Sequence, residues 1–395
     1  MTSDIKNFQE GAFGAFGAFG AFGGAGATGA FGAFGAFGGP PADSPLVVNS
    51  LISNRDGIAG VWTPVGSGTV SQNGEEEVSH LKRLSPLVRA SIYAQELGAR
   101  IGFTYHDDAA RVWATEISDA GNPVVAYKPL VTLKRPGIGV FEKQLDLVAN
   151  YSDLRPDRAT EIVAQLGSPT EFLRSIAFLH PERTPYSLEL LATAHWLANF
   201  VEMRVKYALA CKRPIEFSPQ IQPMILTPTH DSLPSGHATE SFLLARVLWL
   251  LLRDANTASP GSTPYAAPSW GDMFMRQAAR IAINRTVAGV HFPVDSVAGA
   301  VLGLTLGGYF VDLCLARSPV DHWLFDGTEY PEERDFNWRE YYSADGLTSP
   351  GQLEAKNPDD ILYVAKAPFV GGANLVNALP LSWLWAQAKA EWTGV

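Results

Sequence analysis

Apolar positions recur every three or four residues through the middle of the chain. The stretch LELLATAHWLANFVEMRVKYALAC, residues 188–211, keeps that spacing throughout, the period of a buried helix face. Thr184 before Pro185 reads as an N-cap and a first-turn proline, and Pro214 forbids continuation, so one long helix is predicted up to the KRP sequence. PSGHATESFLLARVLWLLL, residues 234–252, is a small-residue turn opening into a strongly apolar helix. Another helix is predicted at about 273–285, and a last core helix from near Pro293. Upstream, residues 75–97 are amphipathic and read as a broken helix or two. FEKQLDLVANY and DRATEIVAQLG are helical candidates, the second ended by Gly167, and SPTEFLRSIAFL follows with Ser168 as N-cap and Pro169 in the first turn. Residues 107–137 are mixed, with short extended runs such as NPVVAY.

This pattern predicts an all-α architecture, a helical bundle. The predicted organisation is a tail and linker at 1–44, a mostly helical N-terminal region packing on the core at 45–180, the core with its active site at 181–325, and a wrapping C-terminal extension at 326–395 that ends in the amphipathic LSWLWAQAKAEW. Within the tail, Gly recurs with period three and Phe13, Phe16, Phe19, Phe22, Phe31, Phe34 and Phe37 fill the repeats. Such a composition cannot specify a packed core, so a disordered segment is expected, either a sticky tether or a simple repeat without a role.

The most apolar stretches are 241–252, too short for a bilayer, and 297–316, long enough but Gly-rich and carrying Asp312. No stable membrane span is expected. MTSDIKNFQEG lacks a basic run followed by an apolar one, so a soluble cytoplasmic protein is expected. The net charge of −10 argues against a nucleic-acid surface and confines any anion site to a local basic spot. Cys211 and Cys314 suggest neither a metal site nor a disulfide scaffold. His106 to Asp108 lacks metal-ligand spacing, GSGTVS after Val65 is a loop, and the sequons at Asn150 and Asn284 carry no export signal with them.

Three segments carry candidate chemistry. In KYALACKRP, Lys206 and Arg213 are seven residues apart, so both are expected on one helix face. The second is PSGH, Pro234 to His237. In NRTVAGVHFPVD, Arg285 precedes His291 by six and His291 precedes Asp295 by four. Singly each has a bland reading: a surface lysine, a helix start, a capping arginine, a first-turn aspartate. Together they fill the roles of an oxyanion pocket. Lys206, Arg213 and Arg285 supply cations, and the amides of Ser235, Gly236 and His237 sit at a helix mouth. His291 offers a nitrogen to phosphorus or a metal, Asp295 fixes its tautomer, and His237 is the acid–base group.

The order K-x6-RP, PSGH, R-x5-H-x3-D resembles the superfamily of type-2 phosphatidic acid phosphatases, bacterial class A acid phosphatases and vanadium haloperoxidases. Ten residue types match in order, over about a third of the chain at 185–320. Asn284 departs, standing where many members have Ser, with a modest effect expected. The resemblance implies a helical bundle of the acid phosphatase/vanadium haloperoxidase type with the pocket between helices. It implies that Lys206, Arg213, Ser235, Gly236 and Arg285 hold the oxyanion. His291 would be the nucleophile or vanadium ligand.

Two reactions share such a pocket. In a phosphatase, with no cofactor, His291 would form a phosphohistidine and His237 would protonate the leaving alcohol. In a haloperoxidase, His291 would ligate vanadate, and halide would be oxidised with peroxide to hypohalous acid. His230, seven residues before His237, resembles the histidine of algal bromoperoxidases and is a candidate halide or substrate residue, so the bromide-oxidising reading is favoured. The partners expected are small molecules (halide and peroxide, or a phosphoester), and a homo-oligomer is left open. The remaining alternative is an assembly or scaffold protein acting through the Phe-Gly tail, which the intact set of charged groups argues against. Deleting residues 1–40 separates the classes: an enzyme keeps its turnover, and a scaffold loses its function.

Overall fold

The computed structural model describes residues 45–59, 74, 77–118, 124–258, 260–261, 263–317, 321–340, 361–368 and 378–393. The Phe-Gly repeats, the 40–44 linker and GSGTVS lie outside these. Helices α1 (Pro45–Ala59) and α2 (Pro86–Ala99) come first, followed by strands β1 (Ile101–His106), β2 (Ala109–Ser118) and β3 (Val124–Lys134). Then come α3 (Ile138–Tyr151), α4 (Arg155–Ala164), the short α5 (Thr170–Arg174), α6 (Pro185–Leu209), α7 (Pro214–Phe217), α8 (Gly236–Ala258), α9 (Pro268–Val287) and α10 (Pro293–Cys314). Strands β4 (Asp321–Asp326) and β5 (Val364–Pro368) and helix α11 (Leu379–Ala390) complete the chain.

Helix α8 is the axis of the bundle, with α6, α9, α10 and α11 packed around it. Its residues from Ala238 to Leu252 are buried all round, so its apolar content is that of a central helix and not of a one-sided stripe. Helix α10 lies against it through Gly299, Gly303 and Gly307, one turn apart. A β-carbon at Gly303 would stand 2.2 Å from the Thr239 carbonyl, and one at Gly299 would stand 2.6 Å from that of Ser235. Only glycine lets the two backbones come this close. At 22 residues and mean hydropathy 1.6, α10 is the one described helix long and apolar enough to cross a membrane, and 89% of that window is buried inside the protein.

The molecule is mostly helical, as expected, but not purely so. Its strands form a five-stranded mixed sheet in the order β1-β2-β3-β4-β5, antiparallel except where β4 pairs parallel with β3. The first hairpin turns at Asp107 and Asp108, both at positive φ (52° and 54°), as a two-residue connection requires. Asp107 and Asp108 are therefore a turn, and His106 closes β1. The sheet packs on α6 and α10, and the segment read from sequence as mostly helical thus contributes three strands. β1, β2 and β3 form a local antiparallel meander, but two strands come from beyond residue 320, so no local pattern could announce the whole sheet.

Several helix ends differ from the sequence reading; α9, for one, opens at Pro268 and not near residue 273. Helix α6 stops at Leu209, with Ala210 left-handed (φ 49°) and its N–H bonded to the Lys206 carbonyl at 2.9 Å. Lys206 and Arg213 therefore do not share a helix face; Arg213 comes from the loop beyond. At the other end, Thr184 makes no cap bond. The carboxylate of Glu391, just past α11, accepts from the amides of Tyr186 (2.7 Å) and Ser187 (2.8 Å) and does the capping. Helix α5 starts at Thr170, with Pro169 as its N-cap and five residues in length; the Ser168 hydroxyl accepts from the Thr170 amide at 3.3 Å.

Gly303→Ala forces a methyl into the Thr239 carbonyl. It is expected to lower stability by about 3 kcal/mol, at the upper end for overpacking, read as a fall in Tm.

Candidate active site

Four places in the chain meet at the mouth of α8: the end of α6 with its following loop, the 230–237 turn, the α9–α10 junction and the C-terminal end of α4. Lys206, on the last turn of α6, is 1% exposed. Its ammonium donates to the carbonyls of Asp231 (3.2 Å), Ser232 (3.1 Å) and Pro234. Burial and the nearby Arg213 pull its pKa down to about 7. Carbonyls only accept, so the bonds to all three of them hold the ammonium form.

Arg213 is the clamp between segments. Its Nε donates to the His230 carbonyl (3.1 Å) and Nη1 to the Val290 carbonyl (2.7 Å). Nη2 donates to the Asp231 carbonyl (3.2 Å) and to His230 Nδ1 (3.1 Å), and Nη1 also reaches His291 Nε2 at 2.9 Å. A guanidinium only donates, so His291 Nε2 is unprotonated. The other ring nitrogen, Nδ1, lies 3.0 Å from Asp295 Oδ2 and carries the proton. That carboxylate oxygen also accepts from Ser232 Oγ (2.5 Å) and the Phe292 amide (3.0 Å). Burial first, then Arg213 and Lys206, holds His291 well below the ordinary histidine range, leaving a neutral imidazole whose tautomer is set by its partner.

Arg285, on the last turn of α9, is built differently. Its Nη2 donates to the Ile162 carbonyl (3.1 Å) and to Gln165 Oε1 (2.9 Å). Its buried Nε and Nη1 have no hydrogen-bond partner among the described residues. Unsatisfied buried guanidinium donors are costly and call for an anion. Gln165, just past α4, connects this arginine to the rest. Its Oε1 also accepts from Asn284 Nδ2 (3.0 Å), and its carbonyl accepts from His237 Nε2 (2.8 Å). The neutral His237 therefore presents Nδ1 as a free acceptor. Burial and Arg285 lower His237 to about 4, and burial with Lys206 and Arg213 lowers His230 to about 3.

At the helix mouth the Ser235 amide is already committed to the Asp295 carbonyl (2.9 Å), and the Ser235 hydroxyl accepts from the Ala238 amide (3.4 Å). The expectation that Ser235 offers its amide to an oxyanion is thus corrected: that amide joins α8 to α10. The Gly236 and His237 amides make no hydrogen bond within the described residues and remain as donors of the helix terminus.

The structure joins Arg213, His230, His291 and Asp295 by direct contact, and Lys206 through the Asp231 carbonyl that it shares with Arg213. It adds Gly236 through the Lys206–Pro234 bond, and Arg285 and His237 through Gln165. The free donors, two guanidinium nitrogens and two amides, suit a tetrahedral oxyanion, and the unprotonated His291 Nε2 offers a lone pair to its central atom. Lys206 and Arg213 contribute field more than free hydrogens, because loop carbonyls and the two imidazoles already engage them. Sequence reasoning missed Gln165, Ser232, Glu202 and the buried pair His195–Glu240 (3.1 Å). Gln165 is polar on a helix end and carries no motif. Asn284, read as lacking a chemical role, holds Gln165 and accepts from Arg158 Nη1 at 3.1 Å.

The sequence profile of the PAP2 superfamily matches residues 187–317. That segment runs from α6 to just past α10 and contains every predicted site residue. No curated protein matches the chain.

Gln165→Leu is expected to cut turnover about 10- to 100-fold, as loss of an outer-shell partner does, with a smaller effect on Tm. Protonation of His230 and His237 is suppressed in the folded state relative to an ordinary value of 6.5. Their contribution to stability is thus complete above pH 6.5 and lost as pH falls toward about 4 and 3. A Tm-versus-pH series should fall over that window, with a shallower fall in His237→Gln.

Proposed function

We propose, from the premise that the 187–317 core belongs to the PAP2 superfamily and is that of an enzyme of its phosphatase or haloperoxidase kind, that this protein is a vanadium-dependent haloperoxidase-like enzyme oxidising halide, bromide in preference, with hydrogen peroxide. The observation that carries the reading is the pairing of unpartnered, buried Arg285 donors with an unprotonated His291 Nε2. The one supplies charge to a small oxyanion, and the other a lone pair to its central atom. Vanadate, when bound, would supply a Lewis-acidic centre that activates peroxide toward halide.

The chain's own residues would divide the work. Arg285 and the Gly236 and His237 amides bind the oxyanion. Arg213 transfers a donor from His291 Nε2 to an oxyanion oxygen as the histidine takes up its ligand role. Lys206 and Arg213 add positive field in a dry pocket. Asp295 keeps the proton on His291 Nδ1. His237, neutral at ordinary pH, can take a proton from peroxide at Nδ1, and a base is what that step requires. His291, Lys206, Arg213 and Arg285 are all 3% exposed or less, whereas His230 and His237 are only partly buried. With His291 this deeply buried, small reactants suit the site, which favours halide and peroxide over a bulky ester. His230, held on Arg213, is the candidate halide contact.

The phosphatase reading keeps one specific support: the donor set suits phosphate as well as vanadate, and His291 Nε2 is free of a proton and so a nucleophile for phosphorus. An assay with vanadate, peroxide, bromide and a halogen-accepting dye, beside a phosphoester assay without vanadate, separates the two. Vanadate-dependent bromination is expected, and bromination indifferent to vanadate would end the haloperoxidase reading. His291→Ala should abolish either activity. Arg285→Ala should weaken vanadate or phosphate binding by about 2–4 kcal/mol, measured by titration calorimetry.

A further inference from the structure

Glu202 lies one helical turn before Lys206, on the same face of α6. It is 1% exposed, and its Oε2 has no hydrogen-bond partner among the described residues. Other buried carboxylates each have an ion-pair partner: Glu189 with Arg89 at 2.6 Å, Asp295 with His291 at 3.0 Å, Glu240 with His195 at 3.1 Å. Its location is fixed by Gly236. A β-carbon on that glycine would stand 2.7 Å from Glu202 Oε1 and 3.5 Å from Oε2. The carboxyl group therefore occupies the space that the missing side chain leaves at the mouth of α8, next to the unpartnered amides.

We propose that Glu202 is a further oxyanion-binding residue: a neutral carboxylic acid whose hydroxyl donates a hydrogen bond to the tetrahedral anion at the Gly236 amide. The inference rests on the oxyanion-pocket reading above and deepens it. An ionised carboxylate here would be buried without a partner and would repel the anion that the pocket's cations attract. A protonated one carries neither cost and adds a donor where donors are wanted, as a buried acid kept neutral by its surroundings can. The groups facing it agree in part: burial and Glu240 push its pKa well above the carboxylate range, against Lys206 and Arg213. Glycine at 236 then serves twice, giving the anion access to the backbone and giving the acid its place.

The test compares binding of inorganic phosphate and of vanadate, by calorimetry, to the full chain and to Glu202→Gln, Glu202→Ala and Arg285→Ala, with thermal melting of each as a folding control. Gln keeps a neutral donor, so Glu202→Gln should bind within about threefold of wild type. Glu202→Ala should bind about tenfold or more weakly, the worth of a hydrogen bond to a charged group. With rising pH, wild type should lose affinity relative to Glu202→Gln, a comparison in which the ligand's own titration cancels. Glu202→Ala binding like wild type, or Glu202→Gln binding as weakly as Glu202→Ala, would overturn the assignment. If Arg285→Ala loses binding while Glu202→Ala keeps it, the pocket stands and only Glu202 falls. If wild type binds neither anion, the pocket reading fails and takes this inference with it.

Discussion

The close contact between α8 and α10 is the constraint on which the rest of the structure depends. The Ser235 amide donates to the Asp295 carbonyl at 2.9 Å, and Gly299 and Gly303 let the two helices meet backbone to backbone just below. Both helices begin at this junction. The mouth of α8 thus lies beside the first turn of α10, where Asp295 carries His291. The anion-binding terminus and the imidazole are brought together by backbone geometry, before any side chain has chosen a rotamer. A side chain at either glycine would separate them.

Around that junction, buried charge is handled in two ways. Lys206 and Arg213 are held by carbonyls and imidazoles of the 230–237 turn and the α9–α10 junction, so their desolvation is offset by hydrogen bonds that also fix the loops. Arg285 is held by one nitrogen only and keeps two donors bare. The difference assigns the first pair to architecture and field and the last to contact with an anion. Gln165 matters for the same reason: by accepting from Arg285, Asn284 and His237 it orients a cation and a base from outside the segment that carries the motifs.

Much of the helical core was legible because its signals are local. Pro185 and Pro293 open helices, and apolar spacing runs through α6 and α9. What was misread depended on partners far away in sequence. The sheet needs residues 321–326 and 364–368 to join strands that end near residue 134. The end of α6 is set by a left-handed alanine, which has no glycine to announce it, and its beginning is capped by Glu391 from the far end of the chain. Spacing therefore placed Lys206 and Arg213 on one helix face, whereas in the fold they reach the same site from a helix and from a loop.

The sequence by itself determined the kind of chemistry: three basic side chains, a glycine at a helix mouth and an imidazole four residues before an aspartate specify an oxyanion site wherever they converge. Only the tertiary structure decided which of those groups remain free. Hydrogen-bond saturation depends on neighbours brought in by folding. Lys206, Arg213 and the Ser235 amide were filled by such neighbours, while Arg285 and the Gly236 amide were left open. Glu202 came to lie against that glycine for the same reason: the packing of α6 on α8, which the order of residues along the chain does not contain, put it there.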